Sequence, residues 1–215
     1  MKVGVFDSGI GGLSVAKAIE RSIEDVEVVF RNDKANLPYG NKDPKKLIEL
    51  ALPILKQMEQ EGCQIIVIAC NTISTTVIGE IRENLQTKLI TVEPMIEKAT
   101  ELTKTKTITV CATPNTLASQ RYQTLLEEHA KHLTVIEPDC SDWAYLIEEN
   151  TINEQLLRED IEPSLQKGSD VIILGCTHYH WIEEEIKEIV GTRATVLQPE
   201  ACVVSELKTM IAQLG

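Results

Sequence analysis

Two cysteines stand at matching places in the chain, in Ala69-Cys70-Asn71-Thr72 and in Gly175-Cys176-Thr177-His178. Each follows a short, continuously apolar run of the kind that forms a buried strand, and each precedes an expected helix. A thiol at a helix N-terminus is expected to have its thiolate stabilised by unpaired amides and the helix dipole. An ordinary thiol, with a pKa near about 8.5, is only a few per cent ionised at neutral pH, so such help matters. His178, two residues beyond Cys176, is close enough to contribute. A cysteine at a strand end also packs well as a small hydrophobe. That account serves for one such residue; two at equivalent positions favour chemistry. Inverting a stereocentre by proton exchange needs a base on one face of the carbon and an acid on the other. Two thiols facing across a cleft meet that need.

The elements that must position them follow from an internal repeat. Segments 62–72 and 168–178 share a glycine, a four-residue apolar run, a small residue and then the cysteine. The same offset of 106 residues takes Asp33 to Asp139, Tyr39 to Tyr145 and the strand around Val29 to that around Val135. An offset of 105 takes residues 3–8 to 108–113. Strands are expected at 2–6, 27–31, 64–69, 88–92, 106–111, 133–136, 170–174 and 194–197, with helical patterns at 44–61, 153–167, 180–190 and 200–213. Alternating β and α units imply α/β architecture with mainly parallel sheets and helices on both faces. A repeat this long reads as two similar domains rather than a solenoid. Residues 1–93 form the first, with 199–215 packing back onto it, and 94–198 the second. A pseudo-twofold between them sets both cysteines on opposite walls of an interdomain cleft, beyond the carboxyl ends of the strands.

Other residues cluster at the same strand ends. Asp7-Ser8-Gly9-Ile10-Gly11-Gly12 suggests a phosphate cradle, but the dinucleotide fingerprint needs glycine where the chain has Ser14. A tight turn that brings Asp7 and Ser8 to the strand end is the better reading. Asp7 would then accept an ammonium or orient a thiol, unless it or Ser8 only caps the next helix. Leu37-Pro38-Tyr39-Gly40-Asn41 reads as a defined loop whose amides suit a carboxylate. Thr113 and Thr116 line the cleft or cap the helix after the fifth strand. Cys140, Cys176, His178 and His180 raise a metal site, but no CxxC pair or HExxH helix accompanies them, and no metal is expected. His180 and Trp181 are expected to open a helix, and Cys63, Cys111 and Cys202 to be structural. Pyridoxal chemistry needs one reactive lysine and a phosphate site, and nothing singles out such a lysine.

The 215-residue chain carries a formal net charge of −12, which argues against nucleic acid as a partner, since phosphate contacts need clustered Lys and Arg. The same charge repels an acidic substrate at long range, so a site for one must be locally positive. Met1-Lys2 leads directly into Val3-Gly4-Val5-Phe6, too short for the apolar region of a leader, so none is expected, and no apolar run approaches a membrane span. Six cysteines are then expected as free thiols in a cytoplasmic protein.

At Gly4–Leu13, Leu37–Gly40, Ala69–Thr72 and Leu174–Tyr179 the chain resembles the bacterial glutamate racemases of the aspartate/glutamate racemase superfamily. The resemblance implies a two-domain α/β fold, with Cys70 and Cys176 as proton donor and acceptor and Asp7 and His178 assisting. It implies that Ser8, Tyr39, Gly40, Asn71, Thr72, Thr113, Thr116 and Thr177, with Pro38 and Asn41 in the same loop, hold the ammonium and carboxylates of glutamate. Glu148 matches a family carboxylate near the cleft. The family uses no cofactor and supplies D-glutamate for peptidoglycan; the expected partner is L- or D-glutamate, with no nucleic acid or membrane, and a homodimer is allowed. The chain departs from the family at Asn36 (usually Arg), Asn41 (usually Ser or Thr) and His180 (usually Pro). Ala112-Thr113-Pro114-Asn115-Thr116 stands where the family has Gly-Thr-x-Gly-Thr. The chain also stops short of the family's usual C-terminal segment. Asn41 is therefore expected to influence the choice between glutamate and shorter acids. An aspartate racemase and a non-catalytic amino-acid-binding protein are the competing readings; only an enzyme with two bases needs both thiols.

Overall fold

The apolar runs all become strands in the computed structural model, which describes residues 1–214. The first half runs β1 (Lys2–Asp7), α1 (Gly12–Ser22), β2 (Glu27–Asn32), α2 (Pro44–Gln60), β3 (Ile65–Ile68), α3 (Asn71–Thr76), α4 (Ile78–Glu83) and β4 (Lys88–Thr91). The second runs α5 (Ile96–Leu102), β5 (Thr107–Ala112), α6 (Pro114–Ala118), α7 (Gln120–Leu125), β6 (Thr134–Ile136), α8 (Trp143–Glu148), α9 (Glu154–Gln166), β7 (Val171–Gly175), α10 (Glu183–Val190) and β8 (Thr195–Leu197), followed by α11 (Glu200–Ala212). The two sheets have the same order, β2-β1-β3-β4 and β6-β5-β7-β8, and every pairing is parallel. The repeat is thus written in topology as well as in sequence.

Burial on both faces explains why the central strands read as unbroken apolar runs. Val3, Val5, Ile65 and Val67 pack against Val15 and Ile19 of α1, together with Val203, Val204 and Leu207 of α11. Phe6, Ile66 and Ile68 point the other way, onto Leu47, Leu55 and Met58 of α2. In the second sheet Ile108, Val110, Val171 and Ile173 face α5 and α7, while Cys111, Ile172 and Leu174 face α8, α9 and α10. α2 starts as its sequence dictates: Asp43 Oδ1 accepts the Lys46 N–H at 3.0 Å and Pro44 opens the first turn.

Two local expectations change. Residues Thr177–Ile182 form a 3-10 helix, and α10 opens at Glu183 rather than at His180. The three-residue period sorts this segment onto three surfaces. Thr177 and His180 reach Asp7 and Ser14 of the first half, at 3.3 Å and 3.1 Å. His178 and Trp181 meet the loop after β1, with Trp181 Nε1 donating to the Ile10 carbonyl at 3.2 Å. Tyr179 and Ile182 enter the core. Cys202, expected to be structural, is exposed, because α11 turns Val203, Val204 and Leu207 inward instead. Among the described residues no helix is long and apolar enough to cross a membrane.

Candidate active site

A cavity of about 340 Å³ lies where the carboxyl ends of the two sheets meet. β1 delivers Asp7 and Ser8 to it, β3 delivers Cys70 at the start of α3, and β7 delivers Cys176 at the start of the 3-10 helix. Pro38, Tyr39, Gly40, Asn41, Asn71 and Thr72 add to the wall from the first half; Thr113, Thr177 and His178 do so from the second. One thiol therefore reaches the cavity from each sheet.

The two thiols have different surroundings. Cys176 Sγ lies 3.8 Å from His178 Nδ1, and His178 Nε2 lies 2.9 Å from Glu148 Oε1. A carboxylate accepts only, so Nε2 carries a proton and Nδ1 faces the sulfur. Glu148 also takes the Ile10 N–H at 2.7 Å, and its second oxygen stands 3.2 Å from Lys34 Nζ without the alignment of a hydrogen bond. Burial by itself pushes the His178 imidazolium down, but the contacts with Cys176 and Glu148 prevail and hold it up at about 10. Burial likewise opposes the Glu148 carboxylate, yet His178 and the Ile10 N–H lower it to about 2. A buried, charged imidazolium is the counter-ion a thiolate at Cys176 needs.

Cys70 corrects the expectation that its helix position favours the thiolate. The Ile73 N–H does point at it, and Ser8 Oγ lies 3.7 Å from the sulfur. Burial and then the Asp7 carboxylate outweigh these contacts and push the thiol well up, keeping it protonated. Asp7 is held in place by the Gly12 N–H at 2.7 Å and by Thr177 Oγ1 at 3.3 Å, so it both caps α1 and faces the cavity.

The rest of the wall supplies neutral polar groups. The Asn71 side chain is buried, and neither its amide nitrogen nor its oxygen has a partner within the protein. An orphaned donor and acceptor on a cavity wall are the mark of a site that awaits a polar ligand. Thr72 Oγ1 meets Thr113 Oγ1 at 3.0 Å across the two halves, and Thr113 Oγ1 meets Thr116 Oγ1 at 3.0 Å. Thr113 also caps α6, so both readings of that residue hold at once. The Tyr39 hydroxyl donates to Asp33 Oδ2 at 2.6 Å, and burial with that contact pushes the phenol well above its ordinary range. Asn36 donates to the other Asp33 oxygen at 2.9 Å. Among the lining residues His178 is the one cationic group, and the remaining donors are uncharged.

Two expected substrate contacts sit behind the wall instead. Glu148 lies beneath His178 and Thr116 beneath Thr113; neither reaches the cavity. Both are consumed by the residues in front of them. Leu37, Pro114, Ser141, Asp142, Ala144 and Tyr145 line the cavity without having been singled out as contacts. Tyr145 had a signal, since the repeat pairs it with Tyr39. The glycine loop has a purpose other than phosphate. A Cβ on Gly9 would strike His178 Nε2 at 2.5 Å, and one on Gly11 would strike the His178 backbone nitrogen at 2.5 Å. The glycines let the second half seat its histidine directly on the backbone of the first. Among the described residues no cluster of His, Cys, Asp and Glu is arranged to hold a metal.

Comparison with known proteins agrees with this fold. A family model described as Asp/Glu/Hydantoin racemase matches residues 3–207. The glutamate racemase of Ralstonia pickettii is 34% identical over 217 residues, covering 99% of this chain and 77% of that one. That of Aliarcobacter butzleri is 34% identical over 223 residues, covering 100% and 85%. The crystal structure of Escherichia coli glutamate racemase, in complex with L-glutamate and the activator UDP-MurNAc-Ala, superposes with a TM-score of 0.89. It is 26% identical and covers 96% of this chain and 80% of its own.

Proposed function

The chain belongs to the Asp/Glu/Hydantoin racemase family, and on that premise we propose that it interconverts L- and D-glutamate by moving the α-proton between Cys70 and Cys176. The observation that carries this reading is the pair of thiols lining one cavity, one from each sheet, in opposite electrostatic settings. Cys176 faces the His178 imidazolium that Glu148 supports, which fits it for the part of the base. Cys70 is the thiol, kept protonated by burial and Asp7.

The Cys176 thiolate takes the α-proton of one enantiomer, and the bonding electrons pass into the adjacent carboxylate. Cys70 gives its proton to the opposite face of the carbon, leaving a Cys70 thiolate and a Cys176 thiol. The other enantiomer runs the same steps in reverse. The developing negative charge is met by preorganised donors on the cavity wall, the Asn71 amide and the Thr72 and Thr113 hydroxyls. Every proton in this exchange is carried by side chains of the chain itself. We take the enzyme to act in the cytoplasm and to supply D-glutamate for peptidoglycan.

The test is incubation of the purified protein with L-glutamate in D₂O without added cofactor, with L-aspartate in parallel. NMR follows the α-proton signal and chiral chromatography follows the D-isomer. Loss of the glutamate α-proton with D-glutamate formed is the expected result. Exchange of aspartate alone would move the activity to the shorter acid, and no exchange with either would overturn the reading in favour of a binding protein.

A further inference from the structure

We propose that Asn115 is a positioning residue, which fastens the loop at 39–42 of the first half onto the second half and so sets one wall of the substrate cavity. Three hydrogen bonds cross between the halves here. Asn115 Nδ2 donates to the Lys42 carbonyl at 2.6 Å and to the Tyr39 carbonyl at 3.2 Å, and the Asn115 backbone N–H donates to the Gly40 carbonyl at 2.9 Å. Each side-chain amide hydrogen has its own acceptor, a bridge that needs a carboxamide at this position.

The loop is arranged to receive it. The Lys42 N–H closes a turn onto the Tyr39 carbonyl at 3.2 Å, which presents the Tyr39 and Lys42 carbonyls together. Gly40 lies so close that a Cβ there would stand 2.7 Å from Thr113 Cβ. Tyr39, Gly40 and Asn41 line the cavity, whereas Asn115 does not, so any effect of Asn115 on the ligand passes through the loop. Within its own half the side chains of the loop have one strong anchor, Tyr39 to Asp33. The position of Gly40 and Asn41 relative to Cys176 therefore depends on the crossing bonds. In the resembled family this place is a glycine, which has no side chain to make two of them.

This inference rests on the racemase reading for what the cavity binds, and its test separates the two. Hydrogen exchange by mass spectrometry would follow the segment spanning 39–42 in the full-length protein and in Asn115→Ala, with β1 and β3 as internal references. Steady-state kinetics with L-glutamate would be measured on the same samples, with Asn115→Gln as the variant that keeps the donor and Asn115→Gly as a second deletion. The expected result is about tenfold faster exchange confined to the loop, with KM raised about tenfold and kcat changed by less than about threefold in the Ala and Gly variants. Asn115→Gln recovers part of both. Unchanged loop exchange overturns the fastening role. Faster exchange with unchanged KM, or a loss in kcat alone, overturns the positioning role. If the unmodified protein turns over no acidic amino acid, the proposed activity falls, and the exchange measurement still decides whether Asn115 holds the loop.

Discussion

Glu148 Oε1 lies 2.9 Å from His178 Nε2 and accepts the Ile10 N–H at 2.7 Å on the same oxygen, so one buried carboxylate ties the second half's histidine to the first half's glycine loop. Two consequences are bundled in that contact: a charge that keeps His178 protonated and a geometry that aims Nδ1 at Cys176. Glu148→Gln keeps the shape and removes the charge. The His178 pKa, held up at about 10, then falls, because one of the groups raising it has gone. The expected outcome is a kcat lowered by about 10²-fold, with the alkaline limb of its pH profile moved to lower pH. An unshifted alkaline limb would show that Glu148 is not the counter-ion.

The asymmetry between the thiols predicts an order of modification. Cys176, beside an imidazolium, is expected to react with iodoacetamide before Cys70, whose thiol is pushed up by burial and Asp7. Exposed Cys202 would react as well, so the experiment belongs in a Cys202→Ser background. Peptide mapping should find activity lost in step with alkylation at Cys176. Cys70→Ala and Cys176→Ala should each lower kcat by about 10³-fold or more, and full activity in either would sink the two-thiol mechanism.

What was legible in the sequence, and what was not, divides along physical lines. Ile65–Ile68 and Val171–Leu174 read as strands because burial on both faces leaves no polar position in them. The strand repeat then put Cys70 and Cys176 in equivalent places. The 3-10 turn at 177–182 was not legible, since its aromatic and β-branched residues fit the opening of an α-helix equally well. Nor was the depth of Glu148, because nothing in Leu146-Ile147-Glu148 shows that its partner is His178 on another element. The state of Cys70 was hidden for the same reason: local context promised a stabilised thiolate, and burial, with the Asp7 charge brought up by β1, reversed it.

Gly11 tests whether the glycine loop is a seat for the second half. An added Cβ would meet the His178 nitrogen at 2.5 Å and the Thr177 carbonyl carbon at 2.7 Å, and backbone cannot step aside as a side chain can. Gly11→Ala is expected to cost about 1–3 kcal/mol of stability in urea unfolding and to lower kcat/KM as the histidine shifts. Gly79→Ala is the control: it lies within α4 with nothing near its Cβ, and should stabilise by about 0.5–1 kcal/mol. If Gly11→Ala is as harmless as the control, the close approach is not required.

Asn41 lines the cavity from the fastened loop and reaches one heavy atom farther than the serine or threonine of the resembled family. Asn41→Ser lengthens the cavity at that end. It should raise the ratio of kcat/KM for glutamate over aspartate by about tenfold, the scale set by one methylene in a fitted pocket. A ratio that stays put would free Asn41 from any part in substrate choice.

The His178–Glu148 contact also makes stability depend on pH, and the two partners set opposite limits. His178 has its pKa raised from 6.5 to about 10 on folding, so its contribution is complete below 6.5 and is lost as pH rises toward 10. Glu148 has its pKa lowered from 4.5 to about 2, so its contribution is complete above 4.5 and is lost as pH falls toward 2. Both shifts describe one buried contact, and adding them would count it twice. The window in which the contact contributes fully therefore runs from 4.5 to 6.5. Urea unfolding of the unmodified protein and of Glu148→Gln should differ most near about pH 5.5, and the gap should narrow toward about pH 9.5, where the folded protein begins to release the proton it holds in excess of the unfolded chain. A gap that widens with rising pH would mean that His178 is neutral in the folded state and that Cys176 has lost the cation assigned to it here.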